Sequence, residues 1–430
     1  SLIEIQEGTV NIGNIKHFIT AIAVIFITFS FGSGQLLAEQ ELNIGIMGPF
    51  TGPAAKTGAQ FKGSTTLRLE AINYKVGDYK LNPIWIDSQS DPAKATAAYA
   101  EAAERYQIQV GALNWHSSVA VAVMEVTAQY KVPHLMAMGA ALAVNNKWKS
   151  DTKYNYWGMK GWPVPGILVP SYVETINDAV SKGVFKPKHG KQVAILVEDT
   201  DWGHSAGESV AEAFIASGWK VIFKDYFSIT QQDFYPVLGK IKKLGADVFY
   251  STTSTTAPTT ALTKQIDEIG LGAITVIDGL SWAGDWYKMT GSSSNRVLDM
   301  SPKITHKKYQ DWAANFEKRF DLKPASTAGG LSYDGIGFLI KLLQRTNQKY
   351  GKLNKKLIHK VMIEEINTGK LKYTKADGAL IMEAYTANAD TPPDPKGGMD
   401  AYYFPVVQYQ DGKEYIVYPP AVAERKLKVQ

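Results

Sequence analysis

Between Leu42 and Ala71 an alternating apolar stretch runs into a glycine-rich loop and then into a helical pattern. Leu42, Ile44 and Ile46 recur at every second position, the period of a strand, and the run stops at Gly48-Pro49. The loop holds Gly48, Pro49, Gly52, Pro53 and Gly58, and the helical periodicity is legible from Gln60 onward. A strand, a tight loop and a helix N-terminus in that order deliver free backbone N–H groups to the C-terminal edge of a sheet. That edge is where open α/β proteins hold small polar or anionic ligands.

The unit recurs. Strands are predicted at Pro83 to Asp87, Val110 to Leu113 and His134 to Met138, with helices at Asp91 to Arg105 and Val119 to Tyr130. Asp91 and Pro92 suit the cap and first turn of the helix they open. A second series follows. Gln192 to Val197 is a near-continuous apolar strand, as a parallel sheet covered on both faces requires. A helix is expected at Ser205 to Ser217, a strand from Lys220 to Phe223, a helix at Tyr235 to Leu244 and a strand at Asp247 to Tyr250. A helix at Ala257 to Ile269 and a strand at Ala273 to Ile277 complete the series. Two runs of alternating strands and helices predict two doubly wound α/β lobes, a sensible count for 430 residues. Asp390 to Gly398 is a proline-rich loop, followed by a strand-like tail at Tyr402, Tyr403 and Phe404.

Composition narrows the function classes. The net charge of +5 is modest and the lysines are dispersed, which argues against a nucleic-acid groove. No cysteine occurs, so disulfides, thiolate metal ligands and a cysteine nucleophile are excluded. Phe18 to Phe31 is a 14-residue apolar run preceded by Lys16 and His17 and followed by Gly32, Ser33, Gly34 and Ala38. It fits the core of an export signal and falls short of the ~20 residues of a bilayer span. Residues 1–38 therefore read as a signal peptide with an N-terminal extension, a buried strand or uncleaved anchor being the alternative. No G-x-x-x-x-G-K-(S/T), H-E-x-x-H or G-x-S-x-G occurs, and the seven histidines lack metal-ligand spacing.

Four stretches, in order, carry a family resemblance: Gly48 to Gly63, Val110 to Ala140, Val197 to Phe214 and Ser332 to Leu343. They resemble the loops of type I periplasmic substrate-binding proteins of ABC importers, in the leucine/isoleucine/valine-binding branch. The resemblance implies two Rossmann-like lobes joined by three hinge crossovers. Residues 41–160 with 304–403 would form lobe 1, and 161–303 with 404–430 lobe 2. It also implies a periplasmic or extracytoplasmic monomer that closes on a small amino-acid-like ligand and delivers it to a membrane permease. No cofactor, metal or nucleic acid is expected.

Site residues follow from the same resemblance. Ser117, with Ser118 beside it, would bind a ligand carboxylate at a helix N-terminus, although a structural cap suits the same serines. Met138 and Ala140 would offer backbone groups, Ala140 standing where the family has a threonine hydroxyl. Asp278 would hold the ligand ammonium, or else form an Asx turn before Gly279. Thr57 would line the ligand side chain. Trp202 would wall the ligand or pack in the core, and Trp115 and His116 fall near the cleft. Trp157, Lys160 and Trp162 lie at the first crossover, with hinge packing as the plainer role, and Trp282 is a further wall. Ser254 or Thr255 stands where the family has an aromatic residue. A hydrophobic, branched-chain or aromatic amino acid is the expected ligand. An amide, urea or aromatic carboxylate is the alternative, as is the sensing domain of a signalling receptor.

Overall fold

The computed structural model describes residues 40–282, 284–303 and 306–429. The expected export signal lies outside them. The first sheet has strands β1 (Gln40–Gly48), β2 (Lys75–Val76), β3 (Tyr79–Asp87), β4 (Val110–Ala112) and β5 (His134–Leu135), in the order β2-β3-β1-β4-β5. β4 runs parallel to both β1 and β5. Between the strands lie α1 (Ala55–Glu70), α2 (Pro92–Glu104) and α3 (Ser117–Tyr130), with α4 (Leu142–Ser150) after β5. The Asp91 carboxylate accepts the Lys94 N–H at 3.0 Å, so the expected cap forms.

The chain then enters the second lobe through α5 (Pro170–Ser181). There β6 (Gln192–Glu198), α6 (Asp201–Ala216), β7 (Lys220–Phe227), α7 (Tyr235–Leu244), β8 (Val248–Thr252), α8 (Thr256–Glu268), β9 (Ile274–Asp278) and β10 (Leu298–Met300) follow in turn. It returns to the first lobe as α9 (Lys307–Phe320) and α10 (Ser332–Tyr350). Gln60 and Ser64 of α1 donate to the carbonyls of Lys323 (2.8 Å) and Gly329 (2.7 Å), which ties this return to the first lobe. A small pair, β11 (Tyr373–Thr374) and β12 (Ala384–Tyr385), precedes the last crossing. β13 (Val406–Gln410) and β14 (Lys413–Tyr418) then join the second sheet, whose order is β14-β13-β10-β9-β8-β6-β7. The chain thus crosses between the lobes three times.

Three sequence expectations need correction. α1 starts at Ala55 and not near Gln60, because its first turn is built of small and polar residues with no apolar stripe to read. α6 starts at Asp201, four residues before the expected Ser205, where the Thr200 hydroxyl accepts the Gly203 N–H at 3.2 Å. The C-terminal strands lie beyond Tyr402–Phe404 and extend the second sheet, β13 antiparallel to β10 and β14 antiparallel to β13.

In each lobe the helix after the first long strand is pressed onto that strand's end. A Cβ on Gly58 would sit 2.2 Å from the Pro49 carbonyl oxygen, and one on Gly203 would sit 1.8 Å from that of Glu198. Only glycine permits these approaches. The lobes are apposed. Across the gap, Ser118 Oγ accepts the Asp201 N–H (3.3 Å), Ser205 Oγ accepts the Leu142 N–H (3.0 Å) and Thr327 donates to the Trp282 carbonyl (3.2 Å).

Candidate functional site

Strand order locates the site. In the first sheet β1 and β4 are neighbours whose connections lead to opposite sides, and β6 and β8 stand in the same relation in the second. Ligands in open α/β sheets bind at the carboxyl ends of strands at such switch points. The segment after β4 brings Trp115, His116 and Ser117, and the one after β5 brings Met138 and Ala140. The helix after β6 brings Trp202, the loop after β8 Ser254, the loop after β9 Trp282, and the first crossover Trp162. These nine residues line one cavity between the lobes.

Its walls are largely indole. Trp282 is the hub, with ring centroids 5.6 Å from Trp115, 5.3 Å from Trp162 and 5.8 Å from Trp202, all edge-on or tilted. Such pairs contribute about 0.5–1.5 kcal/mol beyond their buried area. The cavity is about 20 Å³, against about 300–1,000 Å³ for pockets that hold drug-sized ligands. The lobes are therefore closed on their own side chains, and a ligand must part the indoles to enter.

Among the described residues no charged side chain lines the cavity; the polar groups are Ser117, His116 and Ser254. Ser117 opens α3, and the preceding residue, His116, makes no side-chain cap to that helix. The N–H groups of the first turn, with their partial positive charge, are thus left without a side-chain acceptor. His116 Nε2 lies 2.9 Å from Ser90 Oγ, and its Nδ1 lies 3.2 Å from Ser254 Oγ across the gap. Burial pushes His116 down to about 4, so the ring is neutral near pH 7. Ser254 in turn donates to the buried Glu198 carboxylate at 2.9 Å, and the Thr200 hydroxyl donates to it at 2.7 Å. Burial raises the Glu198 pKa against these bonds. The indole N–H of Trp115 donates to the Ser254 carbonyl at 3.0 Å, a further tie between lobes.

Of the residues singled out from sequence, Trp115, Ser117, Met138, Ala140, Trp202 and Trp282 line this cavity. His116, Trp162 and Ser254, the weaker sequence candidates, line it too. Five others do not. Ser118 closes the lobes through Asp201. Thr57 is buried within the first turn of α1. Trp157 stacks on His134 at 4.4 Å within the first lobe's core. Lys160 is fully buried, 2.7 Å from the equally buried Asp394, and donates to Asn145 (2.7 Å) and to the Ala140 carbonyl (3.2 Å). It pins the proline-rich loop beside the crossover and has no donor to spare for a distal ligand carboxylate.

Asp278 departs furthest from expectation. Its carboxyl is buried behind the cavity, taking hydrogen bonds from Tyr172 (3.0 Å) and Tyr250 (3.1 Å). Burial and the nearby Asp299 carboxylate push it up to about 8. In this closed structure it is a protonated group at neutral pH and does not face the ligand space. Neither the Asx turn nor the cleft-facing anion describes it. Its backbone is nonetheless tied to the site. Trp202 Nε1–H donates to Thr252 Oγ1 at 2.9 Å, and that hydroxyl donates to the Asp278 carbonyl at 2.9 Å.

Comparison with known proteins places this geometry. The family model described as periplasmic binding protein matches residues 41–398. The Leu/Ile/Val-binding protein homolog 6 of Brucella abortus is 27% identical over 234 residues. That match spans 54% of each chain, so about half the length of the curated relative is covered. Among solved structures, a Rhodopseudomonas palustris ABC-transporter solute-binding protein in complex with 4-hydroxybenzoate superposes with a TM-score of 0.69 at 20% identity. The match covers 87% of this chain and 95% of that one. A branched-chain amino acid ABC transporter protein from Thermus thermophilus with bound valine gives 0.71 at 13% identity, covering 92% and 98%. These likenesses establish the two-lobe fold. With the family match over most of its length, the chain belongs to the periplasmic binding protein family.

Proposed function

We propose that the protein is the extracytoplasmic receptor of an ABC importer, and that its ligand is a small aromatic monocarboxylate captured between the lobes. One observation carries this reading: the cavity is walled by four indoles, has no carboxylate on it among the described residues, and meets an uncapped helix N-terminus at Ser117. Indole faces and edges suit a flat apolar body. The α3 N–H groups and Ser117 suit its carboxylate. The ligand would touch both lobes, so it binds the closed state better and shifts the hinge equilibrium by that differential affinity. The closed surface then engages the permease. Capture without chemical change is the whole task. Rhodopseudomonas proteins of this fold in complex with 4-hydroxybenzoate and 3,4-dihydroxybenzoic acid support the ligand class.

A hydrophobic amino acid is the second reading, favoured by the Leu/Ile/Val-binding relatives. It requires Asp278 to ionise and turn from Tyr172 and Tyr250 toward an ammonium group. Calorimetric titration of benzoates, amides and hydrophobic amino acids separates the two. Micromolar binding, about −8 kcal/mol, is expected for an aromatic acid. Binding of leucine or phenylalanine with no binding of any benzoate would refute the first reading.

A further inference from the structure

Four indoles line the cavity, and the N–H groups of three of them, Trp115, Trp202 and Trp282, are not equivalent. Trp115 spends its donor on the Ser254 carbonyl (3.0 Å) and Trp202 spends its donor on Thr252 Oγ1 (2.9 Å). Trp282 is 5% exposed, and its Nε1 is buried with no hydrogen-bond partner among the described residues. Its main chain is held, since the carbonyl accepts from Thr327. Its ring is held as well. A Cβ on Gly279 would lie 3.0 Å from Cε3 and 3.1 Å from Cδ2, so the benzo edge packs on the Gly279 backbone. Nε1 is not among the ring atoms nearest Gly279, and the Trp282 side chain lines the cavity. A buried donor left unpaired is costly; Trp157 and Trp312 carry one too, and of these three indoles only Trp282 lines the cavity.

We propose that Trp282 is a specificity-determining residue, its indole N–H donating to an oxygen on the ring end of the ligand. The ligand is then an aromatic monocarboxylate carrying a second oxygen acceptor, such as a ring hydroxyl. This rests on the aromatic-acid reading above and narrows it. A site built to bond a substrate oxygen rejects the analogue that lacks it, because its own buried donor is then left unpaired.

The test is calorimetric titration of the full chain with benzoate, 3-hydroxybenzoate, 4-hydroxybenzoate and 4-methylbenzoate, on wild type, W282F and W202F. Phenylalanine keeps an aromatic wall, removes the donor and shortens the ring system, and the W202F control makes the same ring change. In wild type at least one hydroxybenzoate binds about 3- to 10-fold tighter than benzoate and 4-methylbenzoate, the range of one net hydrogen bond. In W282F that preference vanishes while benzoate affinity changes by less than the preference lost. In W202F the preference persists, because that donor is already engaged within the protein. The wild-type comparison stands alone if W282F does not fold. Equal affinity for benzoate and both hydroxybenzoates, or a preference that survives in W282F, overturns the inference and leaves the aromatic-acid reading intact. Failure of all four acids to bind wild type overturns both.

Discussion

Replacing Asp278 by asparagine should stabilise this protein at alkaline pH and leave it nearly unchanged in acid. The Asp278 carboxyl sits between two tyrosine hydroxyls and near Asp299, and burial with that neighbouring charge raises its pKa from 3.8 to about 8. In the folded chain the proton therefore stays on up to about pH 8, whereas in the unfolded chain it leaves near pH 4. The contribution of Asp278 is fully present below pH 4 and is lost as pH rises toward 8. A shift of about four units at 1.36 kcal/mol each sets a ceiling of about 6 kcal/mol on that loss. Asparagine is a neutral isostere of the protonated acid and carries no such slope. At pH 4 the stabilities of D278N and wild type should agree within about 1 kcal/mol, while at pH 9 D278N should be the more stable by several kcal/mol. Asp334, raised to about 6, and Glu414, raised to about 7, lose stability over overlapping ranges in both proteins, so the difference isolates the Asp278 site. Urea unfolding at pH 4, 7 and 9 measures it. Parallel stability profiles for the two proteins would show that Asp278 is ionised in the fold and would refute the reasoning. The same variant bears on function: D278N keeps its affinity for aromatic acids and would lose affinity only for a ligand that needs an anionic partner.

Three further outcomes follow from the geometry. In D394A the Lys160 charge stays buried against only the Ala140 carbonyl and Asn145, which should cost about 3–5 kcal/mol in urea unfolding. The deficit shrinks as pH rises, because burial already holds Lys160 below its ordinary pKa and loss of Asp394 lowers it further; a loss under about 1 kcal/mol would contradict this. In G203A the new methyl meets the Glu198 carbonyl at 1.8 Å, so α6 must shift, with an expected loss of about 1–3 kcal/mol or more; an unchanged melting temperature would mean that the helix is not seated as described. S117A removes the hydroxyl that accepts the buried Ala141 N–H at 3.1 Å, so a stability loss of about 1–3 kcal/mol should accompany weaker carboxylate binding, and unchanged calorimetric affinity would remove Ser117 from the site.

Much of the architecture was legible in the amino-acid order. Strand period, helix period and turn residues are local properties, so the βα alternation, the Asp91 cap and the apolar β6 could be read directly. The resemblance carried by four short stretches supplied the lobes and the loop ends that meet at the cleft. What stayed hidden was whatever depends on neighbours far along the chain. Lys160 reads as a solvated or ligand-facing cation until Asp394, more than two hundred residues later, arrives 2.7 Å away. Asp278 reads as an anion until Tyr172 and Tyr250 fold over it and desolvation keeps its proton on. Trp115, Trp162, Trp202 and Trp282 come from four separate segments, and only packing makes Trp282 the ring that touches the other three. Sequence decides which side chains stand at the ends of strands. Tertiary structure decides which of them share a space, what charge they carry there and which donors remain unspent, because burial and long-range pairing are set by the whole chain at once.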